Sequence, residues 1–133
     1  MDPSLPPTRP RVLLVDDDAA VTRAWALLLE EEFDVVALNS SQSALHQILA
    51  GRRFAAILCD LRMPDLTGME LHDEIARIAP GQAERMIFTT GGGLPARLQA
   101  FADRKGVLMK PFTGAELLRV MRARVEIEPS SRK

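Results

Sequence analysis

Short apolar runs alternate with longer amphipathic segments along the chain. The runs are Val12-Leu13-Leu14-Val15, Val35-Val36-Ala37-Leu38, Ala55-Ala56-Ile57-Leu58-Cys59, Met86-Ile87-Phe88-Thr89 and Val107-Leu108-Met109. Each is too short for a helix, and several are rich in β-branched residues, the pattern of strands buried on both faces. Between them apolar residues recur at helical spacing. The sets are Val21, Trp25, Leu28 and Leu29; Ala44, Leu45, Ile48 and Leu49; Leu71, Ile75 and Ile78; Leu94, Leu98 and Phe101; and Leu117, Met121 and Val125. Each set marks one face of a helix. Thr67-Gly68-Met69-Glu70 and Thr113-Gly114-Ala115-Glu116 fit the capping box, in which Thr and Glu satisfy free N–H groups at a helix start. Pro95 suits the first turn of its helix. Five alternations of continuous apolar strand and helix predict a parallel sheet covered on both faces. The second run ends in Asn39-Ser40 without an acid and is expected at a sheet edge.

A length of 133 residues makes one domain. With 47% apolar residues the chain is not disordered by composition. Seventeen basic against eighteen acidic residues leave a net charge of −1, which offers no general attraction to nucleic acid or an anionic membrane. One cysteine excludes an intramolecular disulfide and a Cys-cluster zinc site, and two histidines are too few for a His-rich metal site. No apolar stretch approaches the ~20 residues of a membrane span. Met1 to Pro7 lack the basic start and apolar core of a signal peptide, so the cytoplasm is the expected location. Residues 1–10 hold four of the nine prolines and read as a tail or linker, 11–126 as the domain, and 127–133 as a flexible polar tail.

The strand ends carry the chemistry. The first run leads into Asp16-Asp17-Asp18, the third into Asp60, the fourth into Thr90 and Gly91-Gly92-Gly93, and the fifth into Lys110-Pro111. In a parallel sheet these ends share one rim, where ligands bind. Asp16, Asp17, Asp60, Thr90 and Lys110 are therefore expected to converge. Carboxylates packed together repel unless a cation joins them. All-oxygen ligands point to Mg²⁺, with Mn²⁺ possible, rather than zinc. A carboxylate can attack phosphorus to form an acyl phosphate, with metal, lysine and hydroxyl stabilising the developing charge.

These pieces, together with Asp60-Leu61-Arg62-Met63-Pro64-Asp65-Leu66-Thr67-Gly68 and Lys110-Pro111-Phe112, resemble the receiver domain of two-component response regulators from about Arg11 to Val125. The resemblance implies a flavodoxin-like doubly wound sheet of five parallel strands in the order 2-1-3-4-5, with five helices. It implies that Asp60 accepts a phosphoryl group, that Asp17 binds Mg²⁺ directly, and that Asp16 acts mainly through water. It also implies a metal contact from the Arg62 backbone carbonyl, a phosphoryl contact from Thr90, a charge partner in Lys110 and a cis bond before Pro111. The expected partner is a histidine kinase or a histidine phosphotransfer protein, with an unknown downstream target. No direct contact with nucleic acid or membrane is expected, and the chain is expected to be a monomer or a weak phosphorylation-linked dimer. Such a domain is a signalling phosphoacceptor that assists its own phosphorylation and dephosphorylation, not a turnover enzyme. The Thr90-Gly91-Gly92 run and the Lys110-Pro111-Phe112 ending resemble receivers attached to hybrid histidine kinases. Two positions depart from the family pattern. Val107 stands where a switching Tyr or Phe is frequent, and Gly92 where many members carry a larger side chain. The loop Gly91-Gly92-Gly93 is therefore expected to move more than the last strand.

Several residues have plainer readings. Asp18 reads as a helix cap, Cys59 as a small buried hydrophobe, Trp25 as core, and His46 and His72 as solvated surface. Arg119, Arg122 and Arg124 read as a solvated basic face that could meet an acidic partner. Two rival functions remain open on the residues alone. One is a fragment of a haloacid-dehalogenase-like phosphatase with Asp16 as nucleophile and Asp18 as acid–base. The other is a receiver-like docking module without phosphorylation.

Overall fold

The computed structural model describes residues 9–127. Each apolar run is a strand: β1 (Arg11–Val15), β2 (Asp34–Leu38), β3 (Ala56–Asp60), β4 (Met86–Thr90) and β5 (Val107–Met109). The helices are α1 (Ala19–Leu29), α2 (Ser41–Leu49), α3 (Gly68–Ile78), α4 (Pro80–Ala83), α5 (Ala96–Lys105) and α6 (Gly114–Val125). The sheet order is β2-β1-β3-β4-β5, parallel throughout, so β2 is an edge strand as expected. The expected tails at residues 1–8 and 128–133 lie outside the described residues.

Side-chain alternation divides the core. Leu13, Val15, Ile57, Cys59 and Phe88 face α2, α3 and α5 through Ala44, Ile48, Leu71, Ile75, Leu98 and Phe101. Val12, Leu14, Leu58 and Ile87 face α1 and α6 through Trp25, Leu29, Leu117 and Met121. Central strands buried on both sides cannot alternate apolar with polar, which is why they read as continuous runs. Both capping boxes form, Thr67 with Glu70 and Thr113 with Glu116.

Four expectations are corrected. The helices number six among the described residues, because the four-residue α4 is too short to show a period. Leu28 and Ile78 fit the apolar spacing, yet they are 47% and 39% exposed. They lie at the margins of their stripes. Leu94 precedes α5, and Pro95 is its N-cap rather than a first-turn residue. His72 is not solvated surface: its ring lies edge-on to Phe101 at 5.3 Å and to Phe88 at 6.0 Å. Its α3 position falls one residue after Leu71, on the flank that α5 covers.

The basic face of α6 is partly committed within the chain. Arg122 pairs with Glu32, and Arg124 Nη1 donates to the Glu84 carbonyl at 3.1 Å. Gly68 sets the start of α3 against the end of β3. A Cβ there would meet the Asp60 carbonyl oxygen at 2.9 Å, so only glycine permits this approach.

Candidate functional site

The strands deliver their last residues to one rim. Asp60 closes β3, Asp16 and Asp17 follow β1, Thr90 closes β4, and Lys110 follows β5. Carboxylate oxygens of Asp16, Asp17 and Asp60 lie within 4.8 Å of one another. Asp16 and Asp60 are buried and Asp17 is exposed. Lys110 Nζ donates to Asp16 Oδ2 at 2.7 Å and to Asp60 Oδ2 at 3.3 Å. The peptide bond between Lys110 and Pro111 is cis. The Lys110 N–H donates to the Thr90 carbonyl at 2.8 Å, continuing the β4–β5 ladder to the site. Trp25, stacked on Phe112, forms the wall beside the ammonium, which lies 5.6 Å from the indole centre.

The two carboxyl groups that Lys110 bridges are held differently. The other oxygen of Asp16 accepts the Asp18 N–H at 2.9 Å. Among the described residues Asp60 has only the longer lysine contact and the Arg62 N–H. Burial holds the Asp60 carboxyl above the ordinary carboxylate range. Lys110 opposes that shift and Asp16 adds to it. For Lys110, burial alone would favour the neutral amine, but the bond to Asp16 and the charge of Asp60 outweigh it and raise its pKa. Among the described residues the Asp17 carboxylate has no hydrogen-bond partner. Three ionised carboxylates around one ammonium leave an excess of two negative charges, and every donor atom is oxygen. That donor set fits a hard divalent cation such as Mg²⁺.

Thr90 is buried, and its hydroxyl oxygen accepts the Gly92 N–H at 3.1 Å, leaving its own proton free. Gly92 and Gly93 have φ of +96° and +66°, conformations that favour glycine. The Arg62 guanidinium crosses to the Gly93 carbonyl and tethers this loop. Val107 pairs with Phe88 across the ladder and has no aromatic ring to move. Asp18 caps α1 through the Ala20 and Val21 N–H groups, as expected. Cys59 is fully buried, and burial pushes its thiol pKa up, so it carries no thiolate chemistry.

Three contributors escaped the sequence reading. Asn39 Nδ2 donates to the Asp16 carbonyl at 2.8 Å and to Thr22 Oγ1 at 3.1 Å, so the acid-free end of β2 still positions the acidic pair. Thr89, which strand alternation turns away from Thr90, pairs in register with Asp60. Asp65 binds the start of α2, accepting from Gln42 N at 2.8 Å and Ser41 N at 3.3 Å. This ties the loop after Asp60 to a second helix. Burial alone would raise the Asp65 pKa, but the Gln42, Leu66 and Ser41 N–H groups outweigh it and lower it. Its stabilising contribution is thus present above the ordinary value of 3.8 and is lost as pH falls through the lowered value. Asp65→Ala is expected to cost about 1 kcal/mol, the scale of a lost helix cap. Urea midpoints should show the loss at neutral pH and little of it in strong acid.

Comparison with known proteins gives a consistent picture. The family model described as "Response regulator receiver domain" matches residues 12–122. A transcriptional regulatory protein CpxR homolog of Haemophilus influenzae is 32% identical over 114 residues, covering 85% of this chain and 49% of that protein. The transcriptional regulatory protein FixJ of Azorhizobium caulinodans is 32% identical over 114 residues, covering 84% and 53%. The chain spans about half or less of the length of the curated relatives that head the comparison. A CheY-like response regulator receiver domain protein of Methanospirillum hungatei has the same fold. Its TM-score is 0.77 at 27% identity, covering 89% of this chain and 94% of that one.

Proposed function

Because the chain belongs to the response regulator receiver domain family, we propose that it takes a phosphoryl group from a phosphohistidine onto Asp60 in a Mg²⁺-dependent step. The observation that carries this reading is the convergence of Asp16, Asp17 and Asp60 around Lys110.

Asp60 is the better nucleophile on geometry. Both Asp16 oxygens are engaged, one by Lys110 at 2.7 Å and one by the Asp18 N–H, whereas the lysine contact to Asp60 is longer, at 3.3 Å, and the Arg62 N–H is its other donor. Asp18 is spent on capping α1, which leaves the phosphatase alternative without its acid–base group. The carboxylates of Asp16, Asp17 and Asp60 and the Arg62 carbonyl would hold Mg²⁺. The ion would offset charge developing on the transferred phosphoryl oxygens. In the transfer, an Asp60 oxygen forms a bond to phosphorus as the phosphorus–nitrogen bond breaks. The imidazole nitrogen keeps the electron pair and takes up a proton. Lys110 moves from carboxylate to phosphoryl oxygen, and the free Thr90 proton supplies a further donor.

The histidine-bearing partner is a kinase or phosphotransfer protein, and the domain works as a monomer or weak dimer in the cytoplasm. No helix among the described residues is long and apolar enough to cross a membrane. Residues 11–126 are the signalling unit. Attachment to a hybrid histidine kinase is supported by the Thr90-Gly91-Gly92 and Lys110-Pro111-Phe112 runs. The loop Gly91–Gly93 carries the signal. Its tethers run to the Thr90 hydroxyl and to Arg62, whose N–H donates to Asp60, and Val107 offers no rotating ring.

Incubation with Mg²⁺ and acetyl phosphate, followed by intact-mass measurement, is expected to show one phosphoryl adduct. Asp60→Asn should show none. An adduct that survives Asp60→Asn contradicts the assignment.

A further inference from the structure

The Thr89 side chain is fully buried, yet among the described residues its hydroxyl has no hydrogen-bond partner. Its backbone is satisfied, since its carbonyl accepts the Leu61 N–H at 2.9 Å. Apart from Asp60 at the rim, the strand positions around it on this sheet face are apolar: Val12, Leu14, Ala56, Leu58 and Ile87. Valine has the shape of threonine and would fill the position without an orphaned polar group, which is costly when buried. A buried unpaired hydroxyl in a well-packed core therefore calls for a second state in which it is used.

The ladder limits what that partner can be. Across β4, Thr89 pairs with Leu108 on one side and Asp60 on the other. Leu108 has no polar side-chain atom. Register partners in a parallel pair point to the same face, so Asp60 is the polar neighbour that β3 supplies. We propose that Thr89 is a positioning residue for phosphorylated Asp60, donating its hydroxyl proton to the acyl oxygen. This rests on Asp60 being the acceptor.

The unphosphorylated carboxylate does not need Thr89, because Lys110 and the Arg62 N–H serve it. Phosphorylation changes the demand. One carboxylate oxygen enters the bond to phosphorus and the other becomes a neutral acyl oxygen. The phosphoryl anion then competes for the Lys110 ammonium, since charge-assisted bonds to it are stronger. The acyl oxygen is left short of a donor on the face where Thr89 stands, and one staggered rotation of χ1 re-aims the hydroxyl. Held this way, Asp60 keeps the rotamer that presents the phosphoryl group to Thr90 and Lys110.

The test is a titration of beryllofluoride, a phosphoryl mimic, in Mg²⁺. Trp25 fluorescence reads it in the full chain, in Thr89→Val and in Thr89→Ser. Loss of one neutral hydrogen bond should weaken binding by roughly three- to ten-fold in Thr89→Val. Thr89→Ser, which keeps the hydroxyl, should restore the affinity. The urea midpoint of Thr89→Val without beryllofluoride should equal or exceed that of the wild type, a result that a packing role for the hydroxyl would not give. Wild-type affinity in Thr89→Val overturns the proposal, and so does a Thr89→Ser chain as weak as Thr89→Val. If the folded wild type takes up no beryllofluoride, Asp60 is not the acceptor and the role of Thr89 falls with it.

Discussion

Asp17→Ala is expected to weaken Mg²⁺ binding by about a hundred-fold or more while leaving the metal-free fold intact. A divalent ion touching a carboxylate gains roughly 4 kcal/mol even in the dielectric of water. The site has few protein ligands with which to make up that loss. Asp17 is exposed and, among the described residues, has no hydrogen-bond partner, so the fold loses no contact when it is removed. Its removal also relieves repulsion with Asp16 and Asp60, whose oxygens lie within 4.8 Å. Trp25 reports the titration, because the Lys110 ammonium, which bridges Asp16 and Asp60, lies 5.6 Å from its ring centre. Equal affinities in wild type and variant would contradict the metal site.

Asp60→Asn should stabilise the metal-free protein by about 1–2 kcal/mol at neutral pH, the scale on which buried charge is costly. The Asp60 side chain is only 11% exposed, and burial raises its pKa. The variant does not strand Lys110, which keeps its 2.7 Å bond to Asp16. A carboxyl with a raised folded-state pKa favours the fold fully below its ordinary value of 3.8. That contribution is lost as pH rises through the folded value. The gap between variant and wild type is therefore expected to close as the solution is acidified toward 3.8. Saturating Mg²⁺ should narrow or reverse it at neutral pH, because binding to the folded wild type adds stability. Urea midpoints across pH, with and without Mg²⁺, check both signs. A variant less stable than wild type at neutral pH without metal would contradict the electrostatic picture.

The parts of this molecule that were legible in its sequence are those with a local or periodic cause. Buried parallel strands must be apolar throughout, so the runs at Val12 and Ile57 identify themselves. A capping box is written in four consecutive residues, and Thr67 and Thr113 form theirs. The convergence of Asp16, Asp60 and Lys110 followed from topology, because parallel strands bring their carboxyl ends to one rim. What escaped depends on register and on three-dimensional neighbours. Asn39 looked like an acid-free strand end, and only the pairing of β1 with β2 brings its amide to the Asp16 carbonyl. Alternation turns Thr89 away from Thr90, and its meaning comes from the residue opposite it on β3. His72 was judged by its neighbours in sequence. Its packing is decided by Phe88 and Phe101, residues of two other elements.

The central claim is that Asp60, rather than either acid after β1, carries the phosphoryl group. Borohydride reduces an aspartyl phosphate to homoserine, which marks the modified residue permanently. After incubation with Mg²⁺ and acetyl phosphate, reduction, proteolysis and peptide mass spectrometry should find homoserine at position 60 alone. Homoserine at position 16 or 17, or at no position in a chain that has gained a phosphoryl mass, would contradict the account.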